Sequence, residues 1–569
     1  MGTGRHYASI GALLTAASAL ATIPVLEMGI NDDWSYAYIA REFAARGHFV
    51  YTGWANTMVG VQAVWASMFI RLFGFSFTLV RLSTLPFAVG CAMLLYRLAR
   101  HAGLSPPFAL FGTLSITLSP VFIPMSASFM TDVPGFFFWL ACVACGVKAA
   151  NAGGRTAACG WMAAAAAAGV AGGTVRQVVW VVPLLVLPMA AWIRKKHGRE
   201  GVAGAAAVLW GASALASALC FLWFQAQPYT VPGADTGAFV PSLEVAQEEV
   251  ESALQLGVAC LLFLLPVLSL YFSGWRDSLR RPLALGLGLG ISGAMLGALW
   301  FFGDGLLLGN IVTAHGMLSP ETELLGSKPE ILPAAVRALL GVAMLGGAGV
   351  TAVALFQRVG GGGKTLPSPR LFALLYAPAA LIYTLAILYR AVNDWILLDR
   401  YVIPLLPMAA IPLLWHYQQR MRRTPPVWSW MVLGLFGFYG VATTHDYMAA
   451  ARARLAAASA VTAAGVPRTQ VTAGLEYDAW TELEQSGHVN DEGIRNPPGA
   501  YRPQEGRRYP VSPPYWFWEE TPGVEPRYLV VYSRLPALGD APFPTARYQT
   551  WLPPFHREVF TQMAPAEKR

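Results

Sequence analysis

Thirteen apolar runs, each of the roughly 17 to 23 residues that a helix needs to cross about 30 Å of hydrocarbon, dominate this chain. They begin near Ala8, Leu79, Pro107, Val133, Thr156, Val175, Val202, Leu254, Leu283, Pro333, Leu371, Tyr401 and Val427. Of the 569 residues, 55% are hydrophobic and only 13% charged, too apolar a balance for a soluble enzyme. The expected fold class is therefore an α-helical polytopic membrane protein of about 13 transmembrane helices. The net charge of +8 does not point to nucleic acid, because Lys and Arg fall in short clusters between the runs and form no basic stripe. The first run lacks a convincing small-x-small cleavage site and reads as a retained anchor.

Those clusters carry the topology. Alternate connections hold Arg97 and Arg100, Lys148 and Arg155, then "RKKHGRE", "WRDSLRR", "QRVGGGGKTLPSPR" and "QQRMRR", which places them on the cytoplasmic side by the positive-inside bias. The intervening connections hold Asp32, Asp33, Asp132, Arg176, residues 226 to 250 and 304 to 332, and Asp394. With an odd number of spans the tail from about Thr444 follows them to the exported face. The expected division is a membrane domain at 1–445, with interfacial helices in a first exported loop at 27–77, and an exported domain at 446–569. All six cysteines lie in or beside apolar runs, so "CVAC" (142–145) reads as helix packing and the exported parts have no disulfide framework. The alanine run 161–168 reads as a close-packed helix and the glycine run 360–363 as a flexible linker.

Two acidic sites stand out on the expected exported face. After Asp32 and Asp33, the residues Trp34, Tyr38, Ile39 and Phe43 alternate with Arg41, Glu42 and Arg46 at helical spacing, and Gly47 is placed as a C-terminal cap. This predicts an amphipathic helix lying in the interface. Capping by Asp33 is the plain structural explanation of the acids, but a cap needs one carboxylate, not two that repel each other. In "SASFMTDVPGFFFWL", Thr131 or Asp132 with Pro134 just inside is likewise a strong helix start. The same face offers Arg81, Arg176, His315, Lys328, Arg390 and Arg400, each alone readable as an interfacial anchor. Together, carboxylates and cations at one membrane surface suit group transfer from a lipid-linked phosphate. A carboxylate takes a proton from the acceptor, and cations or a carboxylate-bound metal stabilise the departing phosphate.

The ordered set "NDDWSYAYIARE", "LVRLSTLPF", "SASFMTDVP" and "DRYVIPLLPMAAIPLL" resembles the bacterial membrane glycosyltransferases related to protein O-mannosyltransferases and to lipid A aminoarabinose transferase. The resemblance covers the chain to about residue 445, and the tail is similar to the exported domain of some bacterial members. It implies a GT-C fold, a bacterial inner-membrane location with the active site outside the cytoplasm, and a polyprenyl-phosphate-linked sugar donor used with inversion. Asp32 then matches the catalytic base, Asp33 stands where many members have Glu, and Asp132 matches the acid of the second exported loop. Arg81, Arg176, His315, Lys328, Arg400 and Tyr401 are the candidates for binding the donor phosphate and substrate. No cofactor is certain, and a divalent metal on Asp32, Asp33 and Asp132 stays open. The acceptor stays open among lipid, protein and polysaccharide, with membrane lipid as the surroundings. One departure is clear: "GWANTMVGVQAVW" replaces the lysine and two prolines that follow the first amphipathic helices of some members, which argues against aminoarabinose.

The tail reads as a small α/β domain, with a helix ending at Gly465, a strand in "RYLVVYS" and a loop in "YPVSPPYWFWEE". Trp516, Phe517 and Trp518 either stack on a sugar or pack the domain onto the membrane part. A glycosyltransferase is the leading function. A transporter or flippase for a lipid-linked saccharide is the alternative, and it would place ionisable groups or broken helices near mid-membrane.

Overall fold

The computed structural model describes residues 2–54, 56–199, 201–231, 243–274, 286, 288–290, 292–297, 309–318, 324–355, 369–391, 397–421, 424–512 and 514–565. The glycine run, Asp394, most of the run from Leu283 and the side chain of Arg390 lie outside them. The chain is a mostly helical, polytopic membrane protein with a small C-terminal sheet domain.

The thirteen expected spans reduce to eight among the described residues: Phe77–His101, Asp132–Asn151, Arg155–Val175, Gln177–Lys196, Ala203–Gln225, Ala334–Leu355, Arg370–Tyr389 and Val427–Ala463. A ninth forms if Val250–Phe263 and Leu265–Tyr271, bent by 69°, count as one. Part of the shortfall has local causes, and the run from Leu283 lies largely outside the described residues. The run from Pro107 is a 12-residue helix, Pro106–Thr117, followed after a break by the short Phe122–Ser126. The run from Tyr401 splits into a 3-10 turn, Asp399–Val402, and the 15-residue Leu406–Arg420, whose prolines at 404 and 407 flank its start. Apolar composition alone does not report such breaks.

Small residues let the spans approach closely, as membrane helices require. At Gly173 a Cβ would meet the Trp180 ring at 1.8 Å, so only glycine allows the chain to fold back there. The helix of the alanine run, Arg155–Val175, packs along Asp132–Asn151 as expected, and the cysteines are free.

The two ends of the bundle differ chemically. At one end Arg194 donates to the Ala149 and Ala152 carbonyls, Arg199 donates to the Ala150 carbonyl, and Lys148 sits over the Trp161 ring. The other end gathers Asp32, Asp33, Asp132, Arg81, Arg176 and Arg400. Val427–Ala463 has 37 residues, about 55 Å of helix, so it runs unbroken past residue 445 and carries the tail outward from the acidic end. Reporters fused after Arg100 and Arg199 should therefore share one compartment, and those after Gly53 and Pro467 the other. Agreement between Arg100 and Pro467 would refute this arrangement.

The tail forms a five-stranded sheet of β3 (Val471–Thr472), β4 (Tyr528–Val531), β7 (His556–Met563) and β5 (Gly539–Asp540), with β6 (Ala546–Gln549) also on β7. Its helix Leu475–Ser486 docks on the helix Asp33–Arg46. Trp480 stacks on Phe75 at 5.6 Å and meets Tyr38 edge-on at 5.8 Å, and Arg41 lies over both the Tyr38 and Trp480 rings. The amphipathic helix does form and ends at Gly47 with φ 74°, but the tail covers it, and its apolar face is buried in protein.

Candidate active site

The two adjacent aspartates do different work. Asp33 is fully buried and accepts from Arg81 Nε at 3.1 Å, from the Ile30 N–H at 2.6 Å and from the Phe129 N–H at 3.2 Å. Arg81, also buried, donates to the carbonyls of Leu26 and Met28. Asp33 is therefore not the expected cap. It reaches back to the loop before its helix, and no side chain caps that helix. Burial pushes its carboxyl above the ordinary range, against the pull of Arg81 and the two backbone donors. Arg81 is committed to this pair and presents no open face to a phosphate.

Asp32 points the other way. Its side chain, 18% exposed, accepts from Trp54 Nε1 at 3.0 Å and from Arg400 Nη2 at 3.2 Å. Trp54 comes from the segment that departs from the resembled family. Gln62, donating to the Phe129 and Met130 carbonyls, and Gln177, donating to the Asn56 carbonyl, tie that segment to the second acidic site.

Asp132 begins its helix as expected, yet it serves a side chain and not the helix end, with Arg176 Nη1 at 2.5 Å from one carboxylate oxygen. Its other oxygen is buried without a partner, as are Arg400 Nε and Nη1. Asp132, Arg176 and Arg400 line one cleft with Trp139 and Tyr383, and Arg176 lies 5.2 Å from the centre of the Tyr401 ring. Burial opposes both guanidinium charges, but Asp132 more than restores that of Arg176, and Asp132 with Asp32 that of Arg400. Unpaired buried donors and an unpaired carboxylate oxygen are costly to maintain, and here they share one cleft. That arrangement suits a ligand with both an anionic group and hydroxyls.

Other candidates fall outside the cluster. Lys328 is buried with its ammonium over the Tyr447 and Tyr532 rings, 5.8 and 5.3 Å from their centres. His315 sits in the turn between β1 (Val312–Thr313) and β2 (Gly316–Met317), its Nδ1 buried and unpartnered. A metal on the three aspartates does not fit the donor set. Each carboxylate has its own arginine, Asp33 is sealed from the cleft, and among the described residues no three metal-type side chains converge.

Four residues escaped sequence reasoning. Tyr36, one helical turn after Asp32, is buried within electrostatic reach of Asp32, Asp132 and Arg400, and its i+4 spacing was a usable signal. Asp399 accepts from the Ile311 and Val312 N–H groups and so ties the β1–β2 hairpin beside Arg400; burial pushes its carboxyl up to about 6. Trp54 carried no signal in its own segment. Glu476 of the tail accepts from the Asn31 N–H at 3.2 Å, from Tyr447 Oη at 2.9 Å and from Arg454 at 2.8 Å. It thereby holds the residue before Asp32, whose φ of 52° lies in the left-handed region that asparagine enters more readily than most residues.

No protein-family model matches this chain, and no curated protein does. Among solved structures it is similar to ArnT from Cupriavidus metallidurans bound to undecaprenyl phosphate, at 15% identity and a TM-score of 0.39 over 82% of each chain. The apo state of that protein gives 14% identity and a TM-score of 0.36 over 82% of this chain and 83% of that one. A protein O-mannosyltransferase complex of S. cerevisiae bound to the sugar donor gives 17% identity and a TM-score of 0.33, over 41% of this chain and 35% of that one. The chain thus spans about a third of the yeast chain's length. The yeast protein belongs to one of the two families that the sequence motifs resemble. At these TM-scores none of the likenesses carries chemistry over to this chain.

Proposed function

We propose that the chain is an integral-membrane glycosyltransferase that moves a sugar from a polyprenyl-phosphate donor to an acceptor hydroxyl at the acidic, exported end of the bundle. The observation that carries this is the cleft itself, where unpartnered Arg400 donors and an unpartnered Asp132 oxygen adjoin the partly exposed Asp32. The acceptor oxygen attacks the anomeric carbon while its proton passes to the Asp32 carboxylate. The bond from that carbon to the phosphate oxygen breaks, and the polyprenyl phosphate leaves with its electron pair. A single displacement of this kind inverts the anomeric centre. Arg400 and Arg176 stabilise the leaving phosphate, and arginine suits bidentate phosphate contact. Asp132 holds Arg176 in place and keeps one oxygen for a sugar hydroxyl.

The bent pair at Val250–Tyr271 is a feature that a transporter would share. The charges of the cleft, however, stand at helix ends or in the short turn between helices, Asp132 and Arg176 at the former and Arg400 in the latter, which favours catalysis at a surface.

The test is donor binding and turnover by the purified full chain, using polyprenyl-phosphate hexose and pentose probes. Arg400→Ala should weaken donor binding by about ten- to a hundred-fold, the scale of a lost hydrogen bond to a charged group. Arg176→Ala should weaken it less, because Asp132 already occupies part of that guanidinium. Arg400→Lys should not restore the affinity, since it keeps the charge but loses the fork. Unchanged donor affinity in both alanine variants would remove these residues from the phosphate site, and a wild type that binds none of the probes would overturn the transferase reading.

A further inference from the structure

The stretch Tyr515–Trp518 places four aromatic rings in sequence but treats them unequally. Phe517 and Trp518 are fully buried, whereas Trp516 is 48% exposed. Trp516 stacks on Trp54, with ring centres 6.0 Å apart and planes 26° apart, and Trp54 leans on the buried Trp34 at 5.4 Å. The indole N–H of Trp54 donates to Asp32. A half-exposed indole from the tail is thus joined, through one ring, to the carboxylate placed as the base.

An exposed indole needs an occupant to explain it, and the surroundings choose among three. An anionic lipid surface fits poorly, because Glu519 and Glu520 follow Trp516 in the chain and Asp491 and Glu492 lie beside Glu520. These acids give an anionic headgroup nothing to pair with, and Arg507, the cation next to Trp518, already donates to the Trp518 and Val524 carbonyls. A peptide would need backbone partners, and the segment that carries Trp516 is a 3-10 turn, Trp516–Trp518, not a strand edge that a peptide could extend. A sugar ring fits both features: its C–H face packs on an indole, and its hydroxyls donate to carboxylates.

We propose that Trp516 and Trp54 form the acceptor-side subsite of this chain, and that the acceptor they hold is a saccharide. This rests on the transferase reading above and narrows it from three acceptor classes to one. The reacting sugar presents its hydroxyl to Asp32 at the edge of Trp54, and the next sugar lies on the open face of Trp516. The tail then supplies half of the acceptor site.

Saturation-transfer NMR on the purified full chain, without any donor, tests this independently of turnover. The probes are a panel of plain di- and trisaccharides, a Ser/Thr-containing peptide and phosphatidylglycerol vesicles. Saccharide C–H protons should be saturated by the wild type and by Asp32→Asn, which keeps both rings. Trp516→Ala should weaken the saccharide signal about ten-fold, the scale of one lost ring contact, and Trp516→Phe should recover part of it. With a donor present, the same alanine change should raise the acceptor KM far more than it lowers kcat. Saccharide binding that Trp516→Ala leaves unchanged, no saccharide binding at all, or peptide or vesicle binding that Trp516→Ala abolishes would each overturn the proposal. Failure of donor turnover with saccharide binding intact would instead count against the transferase reading.

Discussion

Asp32→Asn should lower the release of polyprenyl phosphate from a polyprenyl-phosphate sugar by on the order of 10²-fold or more, the usual scale for loss of a general base. Donor affinity should hold or rise. Asparagine is nearly isosteric, and its side-chain oxygen still accepts from Trp54 Nε1. What it loses is the charge, and with it the ion pair to Arg400. Arg400 already has two buried donors without partners, so freeing a third leaves the guanidinium better placed for phosphate. A drop in turnover with intact or tighter donor binding is therefore the signature of a base. A drop that follows lost donor affinity would instead make Asp32 a positioning group for Arg400. Wild-type turnover would remove Asp32 from the chemistry and, with it, the mechanism proposed for this cleft.

How much of this was legible in the chain follows from which interactions are local. The membrane class, the helix starting at the acidic pair and its glycine stop all depend on composition or on spacings of a few residues, and they are found where sequence places them. The strand in "RYLVVYS" is likewise β4. The span count was less legible, because a proline-broken run has the same composition as an unbroken one. Partner choice was the least legible. Asp32 meets Arg400 across 368 positions, and Asn31 meets Glu476 across 445. No local pattern encodes such pairs. The tail illustrates the consequence: sequence places it on the acidic side, but only the packed structure shows Glu476 gripping the residue before Asp32 and Trp480 closing over the acidic helix. The coupling also runs the other way, since a membrane helix 37 residues long brings the tail to that position.

The neighbouring aspartate should fail differently. Asp33→Asn and Arg81→Met should each cost about 3–5 kcal/mol of stability, the range for removing one partner of a buried ion pair, and should show as a large fall in the thermal midpoint of the detergent-purified protein. The geometry explains why the loss is large. Asp33 and Arg81 have almost no contact with solvent, so the partner left behind is a buried charge that water cannot reach. The pair also ties four backbone groups, accepting from Ile30 and Phe129 and donating to Leu26 and Met28. Replacing both residues by apolar ones removes the unpaired charge but orphans those four groups, so the double variant should recover only part of the loss. A double-mutant cycle measures that part directly. The two aspartates then separate by readout: per folded molecule, Asp33→Asn should keep far more turnover than Asp32→Asn, while the order of their thermal midpoints is reversed. A stable but inactive Asp33→Asn protein would place Asp33 in the chemistry and contradict its role as the brace that presents Asp32 to the cleft.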